Sequence, residues 1–309
     1  YRVISMKIKE NKNLIKITDN CCQVMAPHKG QFPYCHGFLF TGDKNIMIDA
    51  GADGDFILEL DREIGIDTLV ISHSHPDHIR RWHVLSHREL FIPAETPDSV
   101  FDINNLGERF TGSRERGIHW ANVIGKTLGL APMRQPDGRF SDGYIFDIGT
   151  ARIEAIHAPG HLDDHYCFFD QISGTLIATD IDFSSFGPWY GNPEGRIKNF
   201  KKSIVKVMSF PYSRVCTSHK LPYEGDASER FNAYLAAFDR QKDEVYRALG
   251  RGKTLHETAA SSPFYNNRFI DPFVQYAFEE NMVLENLKLL LEDGRITEDN
   301  GLFVPCGDR

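Results

Sequence analysis

From residue 14 onward the chain alternates short apolar runs with turns. "LIKITD" (14–19), "GFLFTG" (37–42) and "NIMIDAG" (45–51) each fit a strand, the last two joined by a tight turn at Gly42–Asp43. "DGDFILELDREIG" (53–65) sets Phe56, Ile57, Leu60 and Ile64 at helical spacing. "IDTLVIS" (66–72) fits a buried strand, "DHIRRWHVLS" (77–86) a helix and "ELFIPAE" (89–95) another strand. This β-α-β-α-β order predicts a partly parallel sheet covered by helices.

Residues 96–143 break the pattern, with weak periodicity and many polar and turn residues. They are expected to form an inserted, partly helical excursion near an active site. Strand signals return at 143–149, 151–158, 166–172 and 174–180, the last two forming a hairpin through Ser173–Gly174. Residues 193–209 fit an amphipathic helix opened by Pro193, and 213–219 a last strand. Beyond Pro222 a helical stripe of Phe231, Leu235, Phe238, Val245 and Leu249 precedes a second long helix from Gln275 and a small strand pair at 295–304. The expected division is a catalytic domain over 1–224 and a helical, winged-helix-like module over 225–309.

Composition narrows the partners. A net charge of −8 and a pI near 5.9 argue against broad nucleic-acid binding. Segment 227–309 has ten Lys and Arg against fourteen Asp and Glu, a surface that repels phosphate. No apolar run is long enough to span a bilayer, and the first nineteen residues lack the apolar core of a secretory leader. The six cysteines are scattered without a CxxC pair, as expected for reduced thiols of a cytoplasmic protein.

The chemistry concentrates in "VISHSHPDH" (70–78), where a buried strand runs into His73, His75, Asp77 and His78. Side chains alternate along an extended segment, so His73 and His75 point the same way. A helix starting at Pro76 returns Asp77 and His78 towards the same space. Imidazole and carboxylate together suit zinc, iron or manganese. Three later strand ends supply His161 in "HAPGHLDDH", Asp180 in "LIATD" and His219 in "VCTSH".

This succession of HxHxDH, a PGH turn, a strand-end Asp and a strand-end His resembles the metallo-β-lactamase superfamily. The resemblance implies an α/β fold, an αββα sandwich, and a metal-assisted hydrolase. It implies that His73, His75 and His161 hold one divalent metal, that Asp77, His78 and His219 hold a second, and that Asp180 bridges them. Zinc is expected ahead of iron or manganese. Asp77 is also the expected catalytic residue, orienting a hydroxide or carrying a proton to the leaving group. Asp49 in "IDAG" would orient a ligand histidine from behind, and His165 would stand behind the metals likewise.

His75 argues against the flavin-linked di-iron reductases of the family, which carry an acidic residue there. The chain is most similar to the glyoxalase II-like branch and its β-lactamase-like protein 2 group. Many relatives follow the motif with a Gly pair, whereas this chain has Ile79, Arg80, Arg81 and Trp82. Arg80 or Arg81 could meet an anionic substrate group or line a solvated helix face. The loop "IDFSSFGPWYGNPEG" after Asp180 makes Trp189 and Tyr190 the candidate substrate contacts. The expected partner is a small ester-type substrate, a thioester or lactone, with a homodimer as a further expectation. An RNA-cleaving nuclease ranks second, and a mononuclear-iron thiol or persulfide dioxygenase third.

Overall fold

The computed structural model describes residues 12–306, apart from residue 270. Seven strands form the first sheet in sequential order: β1 (Leu14–Lys16), β2 (Cys21–Val24), β3 (Gly37–Phe40), β4 (Ile46–Ile48), β5 (Thr68–Val70), β6 (Glu89–Pro93) and β7 (Gly138–Phe140). Pairing is antiparallel from β1 to β4 and parallel from β4 to β7, as crossovers through helices require. The second sheet comprises β8 (Ile145–Asp147), β9 (Arg152–His157), β10 (Tyr166–Asp170), β11 (Thr175–Ile177), β12 (Arg214–Thr217) and β13 (Lys220–Glu224), again in sequential order.

Alternation along the strands builds a layered core. Phe38, Phe40, Ile46 and Ile48 face Ile153, Ala155, Phe168 and Ile177 between the sheets. The intervening Leu39 and Met47 point outward, under the Gly54–Ile64 helix with its Phe56, Ile57 and Leu60. Leu176 and Val215 likewise point out of the second sheet, under the Ile197–Met208 helix. The layers are therefore α, β, β, α. The Gly54–Ile64 helix starts where the Asp53 carboxylate accepts the Phe56 N–H.

The C-terminal segment runs in the order helix Ser228–Leu249, strand β14 (Lys253–Thr254), helix Leu255–Ala260, helix Pro272–Glu292, and strands β15 (Ile296–Asp299) and β16 (Leu302–Pro305). Its three strands make a small sheet ordered β14-β16-β15. Phe231, Phe238, Met282 and Leu287 of its helices share one core with Phe200 and Val215 of the second sheet's outer layer.

Several local expectations shift. Strand β2 escaped the pattern because "CCQV" is buried at every position and lacks alternation. The 77–86 helix is a single turn, Pro76–Ile79, followed by a 3-10 turn at Trp82–Leu85. The 193–209 helix begins only at Ile197, and Pro193 lies in the preceding loop. The excursion holds helices Ile103–Thr111 and Arg114–Trp120 and also supplies β7 to the first sheet. Among the described residues no helix is long and apolar enough to cross a membrane.

Candidate metal centre

The loops leaving β4, β5, β11 and β12 gather at one end of the sandwich. Main-chain bonds lock them together: Ala50 N–H donates to His78 O at 2.9 Å, and Ser218 N–H to Thr179 O at 3.0 Å. Gly51 permits the first approach, because a Cβ there would stand 2.2 Å from Asp77 O. Gly160 holds the PGH turn at φ +124°, and a Cβ on it would lie 2.2 Å from Phe200 N. Asp49 (φ 62°) and Thr179 (φ 43°), the latter beside Asp180, occupy the left-handed region without being glycine. Such strain is held where a site requires it.

Among the described residues three groups of ligand-type atoms result. His73, His75, His161 and Asp180 form the first, Asp77, His78 and His219 the second, and Cys35, Asp49 and His78 a third behind the second. His75 Nδ1 lies 3.0 Å from His73 Nε2 and 2.8 Å from His161 Nε2. These spacings fall a little under the roughly 3.3 Å edge of a tetrahedron with ~2.0–2.1 Å metal–nitrogen bonds. Asp180 stands between the first two groups. Its Oδ2 is 3.2 Å from His161 Nε2 and 3.5 Å from His219 Nε2, and its Oδ1 is 3.0 Å from His78 Nε2. Asp77 Oδ2 is 3.6 Å from His219 Nε2.

The opposite nitrogen of each ring fixes what the inward one can do. His161 Nδ1–H donates to Trp189 O at 2.8 Å, and His219 Nδ1–H to Gly30 O at 2.5 Å. His78 Nδ1–H donates to Asp49 Oδ2 at 2.7 Å. His75 Nε2–H donates to Asn192 Oδ1 at 2.7 Å, an orientation set because the Asn192 amide donates to Phe110 O. His73 Nδ1 meets Ser72 Oγ at 3.0 Å, whose hydroxyl donates to Asp49. Five outward donors thus leave five inward nitrogens facing the space where a metal ion would sit. His78 Nε2 and Asp180 Oδ1, both buried, face each other at 3.0 Å without the alignment of a hydrogen bond, as two ligand atoms directed at a common cation would. The residues present fit divalent metals.

Charge agrees. Burial, reinforced by His78 for His73 and by His161 for His75, holds both imidazoles well below their usual range, so they are neutral. Burial opposes protonation of His219, but Asp180, Asp77 and Asp182 outweigh it and lift it to about 10. Burial pushes Asp180 up, yet His78 and His219 hold it well below the carboxylate range. Without metal the centre therefore balances carboxylates with imidazolium charge.

Asp49 accepts from Ser72 N–H, Ser72 Oγ–H and His78, so it stands behind the ligands. His165 has both nitrogens engaged, with Ala158 O and Thr179 Oγ1 each at 2.8 Å, and cannot ligate. Cys35 also approaches His78 and Asp49, but burial raises its thiol to about 12.

Two expectations need correction. Tyr190 makes no wall of the site: it is fully buried, its hydroxyl between Gln241 Oε1 (3.0 Å) and Asn286 Nδ2 (2.8 Å). Arg80 is neither solvated nor free for an anion, since its guanidinium donates to Leu128 O and Pro33 O and lies 4.3 Å over Tyr34. Arg81, half-exposed with its side chain near Gly54 and Gly129 and outside the cavity lining, agrees with the solvated-face alternative. Sequence reasoning missed Ser72, Gly30, Asn192 and Arg109. Arg109 reaches from the excursion to Asp164 (3.1 Å), Glu194 (2.8 Å) and Ser74, which sits between two ligands. Ser72 lies inside "VISHSHPDH", Asn192 inside "IDFSSFGPWYGNPEG" and Asp164 inside "HLDDH", whereas Gly30 and Arg109 carried no sequence signal.

A cavity of about 420 Å³ opens onto the centre, with His75, Asp77, His161, Asp180, His219 and Trp189 in its wall.

Comparison with known proteins adds the following. Residues 34–219, more than half of the chain, match the family described as the Metallo-beta-lactamase superfamily. An uncharacterized protein of Aquifex aeolicus is 31% identical over 165 residues, covering 53% of this chain and 72% of its own. The lactamase-like protein ptaB of Pestalotiopsis fici is 22% identical over 253 residues, covering 76% of this chain and 66% of its own. The crystal structure of metallo-beta-lactamase family protein TTHA1429 from Thermus thermophilus superposes with a TM-score of 0.72 at 17% identity, covering 94% of this chain and 100% of that one. A beta-lactamase domain protein from Burkholderia ambifaria gives 0.69 at 16% identity, over 95% and 93%.

Proposed function

From the premise that the chain belongs to the metallo-beta-lactamase superfamily, we propose that it is a metal-dependent hydrolase of a small ester-type substrate, a thioester or lactone. The observation that carries this reading is the set of five histidines with outward nitrogens engaged and inward nitrogens converging on Asp180. His73, His75 and His161 would hold one divalent ion, Asp77, His78 and His219 a second, and Asp180 both. We take the ions to be zinc ahead of iron or manganese, since neutral imidazoles dominate the donors. When bound, such ions supply a water of lowered pKa and polarise a substrate carbonyl.

The chain's own residues do the rest. Asp77 lies in the cavity wall, its Oδ2 3.6 Å from His219 Nε2. It is placed to orient the nucleophilic water and to pass its proton towards the leaving group. Asp49 and Asn192 keep the ligand rings from turning as charge develops.

The C-terminal order of helix, strand, two helices and two strands supports a winged-helix-like reading. A nuclease is the second reading on that ground. It ranks lower because, among the described residues, Lys220 is the one Lys or Arg in the cavity lining.

The test measures metal content and thiol release from acyl thioesters on protein loaded with zinc, manganese or iron, beside single-stranded RNA. Two ions per chain and chelator-sensitive thioester turnover that Asp77→Asn abolishes are expected. Ions bound with every ester silent would overturn the reading, and RNA cleavage would promote the second.

A further inference from the structure

The metal centre sits at the root of a continuous run of aromatic rings. His75 meets Phe110 at 5.4 Å and Trp189 at 5.2 Å between ring centroids. Phe110 continues to Trp120 (5.4 Å). Trp189 continues to Phe278 (5.3 Å), which continues to Phe269 (5.8 Å), and that ring to Tyr265 (5.7 Å). All of these rings line the cavity, and none belongs to either large sheet. Phe110 and Trp120 come from the excursion, Trp189 from the loop after Asp180, and the other three from the C-terminal segment.

This side of the cavity offers a ligand no free charge. Arg109 lies 5.6 Å over Phe110, but its guanidinium is turned to Asp164 and Glu194. The opposite side differs. Next to His219 are Lys220 and Gln31, both exposed, and the Asp182 carboxylate also lines the cavity within electrostatic reach of His219. Phe32, 49% exposed, stands at this mouth. The cavity is thus polarised: rings beyond the His75 group, polar groups and solvent beyond His219.

Resting on the hydrolase reading above, we propose that the substrate carries an uncharged aromatic acyl group that seats among these rings, with its polar leaving group directed to the mouth beside His219 and Lys220. A short acyl group leaves most of about 420 Å³ unfilled. A charged one would face rings with no counter-ion, which costs solvation without return. Rings met edge-on from several sides favour a planar aromatic guest over a flexible chain. Hydrolysis breaks the acyl–leaving-group bond and gives the arylcarboxylate and the free thiol or alcohol, with one water consumed.

The experiment uses the full chain loaded with zinc and N-acetylcysteamine thioesters of acetic, decanoic, benzoic and 2-naphthoic acids. Each kcat/KM is divided by the ester's rate with hydroxide alone, to remove intrinsic reactivity. The naphthoyl ester should exceed the acetyl ester by on the order of tenfold or more, since each buried methylene equivalent is worth about fourfold. It should also lead the decanoyl ester. In Trp189→Ala, which keeps the main-chain carbonyl that His161 uses, the naphthoyl-to-acetyl ratio should fall by about tenfold. Phe269→Ala repeats the test at a half-buried loop position should the first variant not fold.

A flat series, or decanoyl ahead of naphthoyl, overturns the aromatic assignment while leaving the hydrolase reading intact. Should no ester turn over, binding of 2-acetylnaphthalene, read by tryptophan fluorescence, separates the two. Saturable binding weakened by Trp189→Ala supports the pocket and condemns the hydrolase reading; no binding overturns the pocket as well.

Discussion

Replacing Arg109 with Met should destabilise the fold by about 3–5 kcal/mol, because it strands a buried carboxylate. The Arg109 side chain is 6% exposed and pairs with Asp164, which is 0% exposed. Its other partner, Glu194, is 22% exposed and can turn to water, so its share is at most about 1 kcal/mol. Met keeps much of the apolar stem, so packing loss is secondary. Burial by itself pushes the Asp164 carboxyl up; Arg109, with help from Ser74 and Thr96, overrides this and holds it below the usual range.

The sign of the pH dependence follows. In the native chain, Asp164 contributes stability above its unfolded value near ~3.9, and loses it as pH falls through the lower folded value. In Arg109→Met, burial prevails and the folded value rises above the unfolded one, so acid now favours the fold at this group. The gap between variant and native chain should therefore be widest near neutral pH and narrow towards pH ~4. Urea unfolding across that range measures it. Arg109→Met with Asp164→Asn should recover at least half of the loss, since no buried charge remains. A loss under about 1 kcal/mol at neutral pH, or one independent of pH, would refute the argument.

Two further outcomes test the centre and the correction beside it. Asp49→Ala removes the acceptor of His78 Nδ1–H and of Ser72, so metal affinity should fall roughly 10–100-fold, seen by competition with a chromophoric chelator. Tyr190→Phe should cost about 1–3 kcal/mol by leaving Gln241 and Asn286 short of a partner, with acyl preference unchanged; a shift in preference would return Tyr190 to the cavity.

The seven ligand-type residues were legible because each lies at the end of an apolar run. Strand ends are local features: "TLV" places Ser72 to His78, "TLI" places Asp180 and "RVCT" places His219. The layered architecture was legible for a related reason, since alternation sorts Phe38 from Leu39 and Ile46 from Met47 between two faces. What local pattern does not carry is which neighbour a side chain finds. Trp189 and Tyr190 are adjacent, yet one lines the cavity and the other is enclosed beside Gln241 and Asn286. Arg80 looked solvent-facing until Pro33, Tyr34 and Leu128 closed over it.

Asn192 orients His75 across 117 residues of sequence, and Gly30 orients His219 across 189. By itself the sequence determined the ligand-type side chains and the strand ends that aim them. Only the tertiary structure decided the tautomer of each ring and the wall facing it, because both depend on hydrogen bonds and packing between segments far apart in the chain.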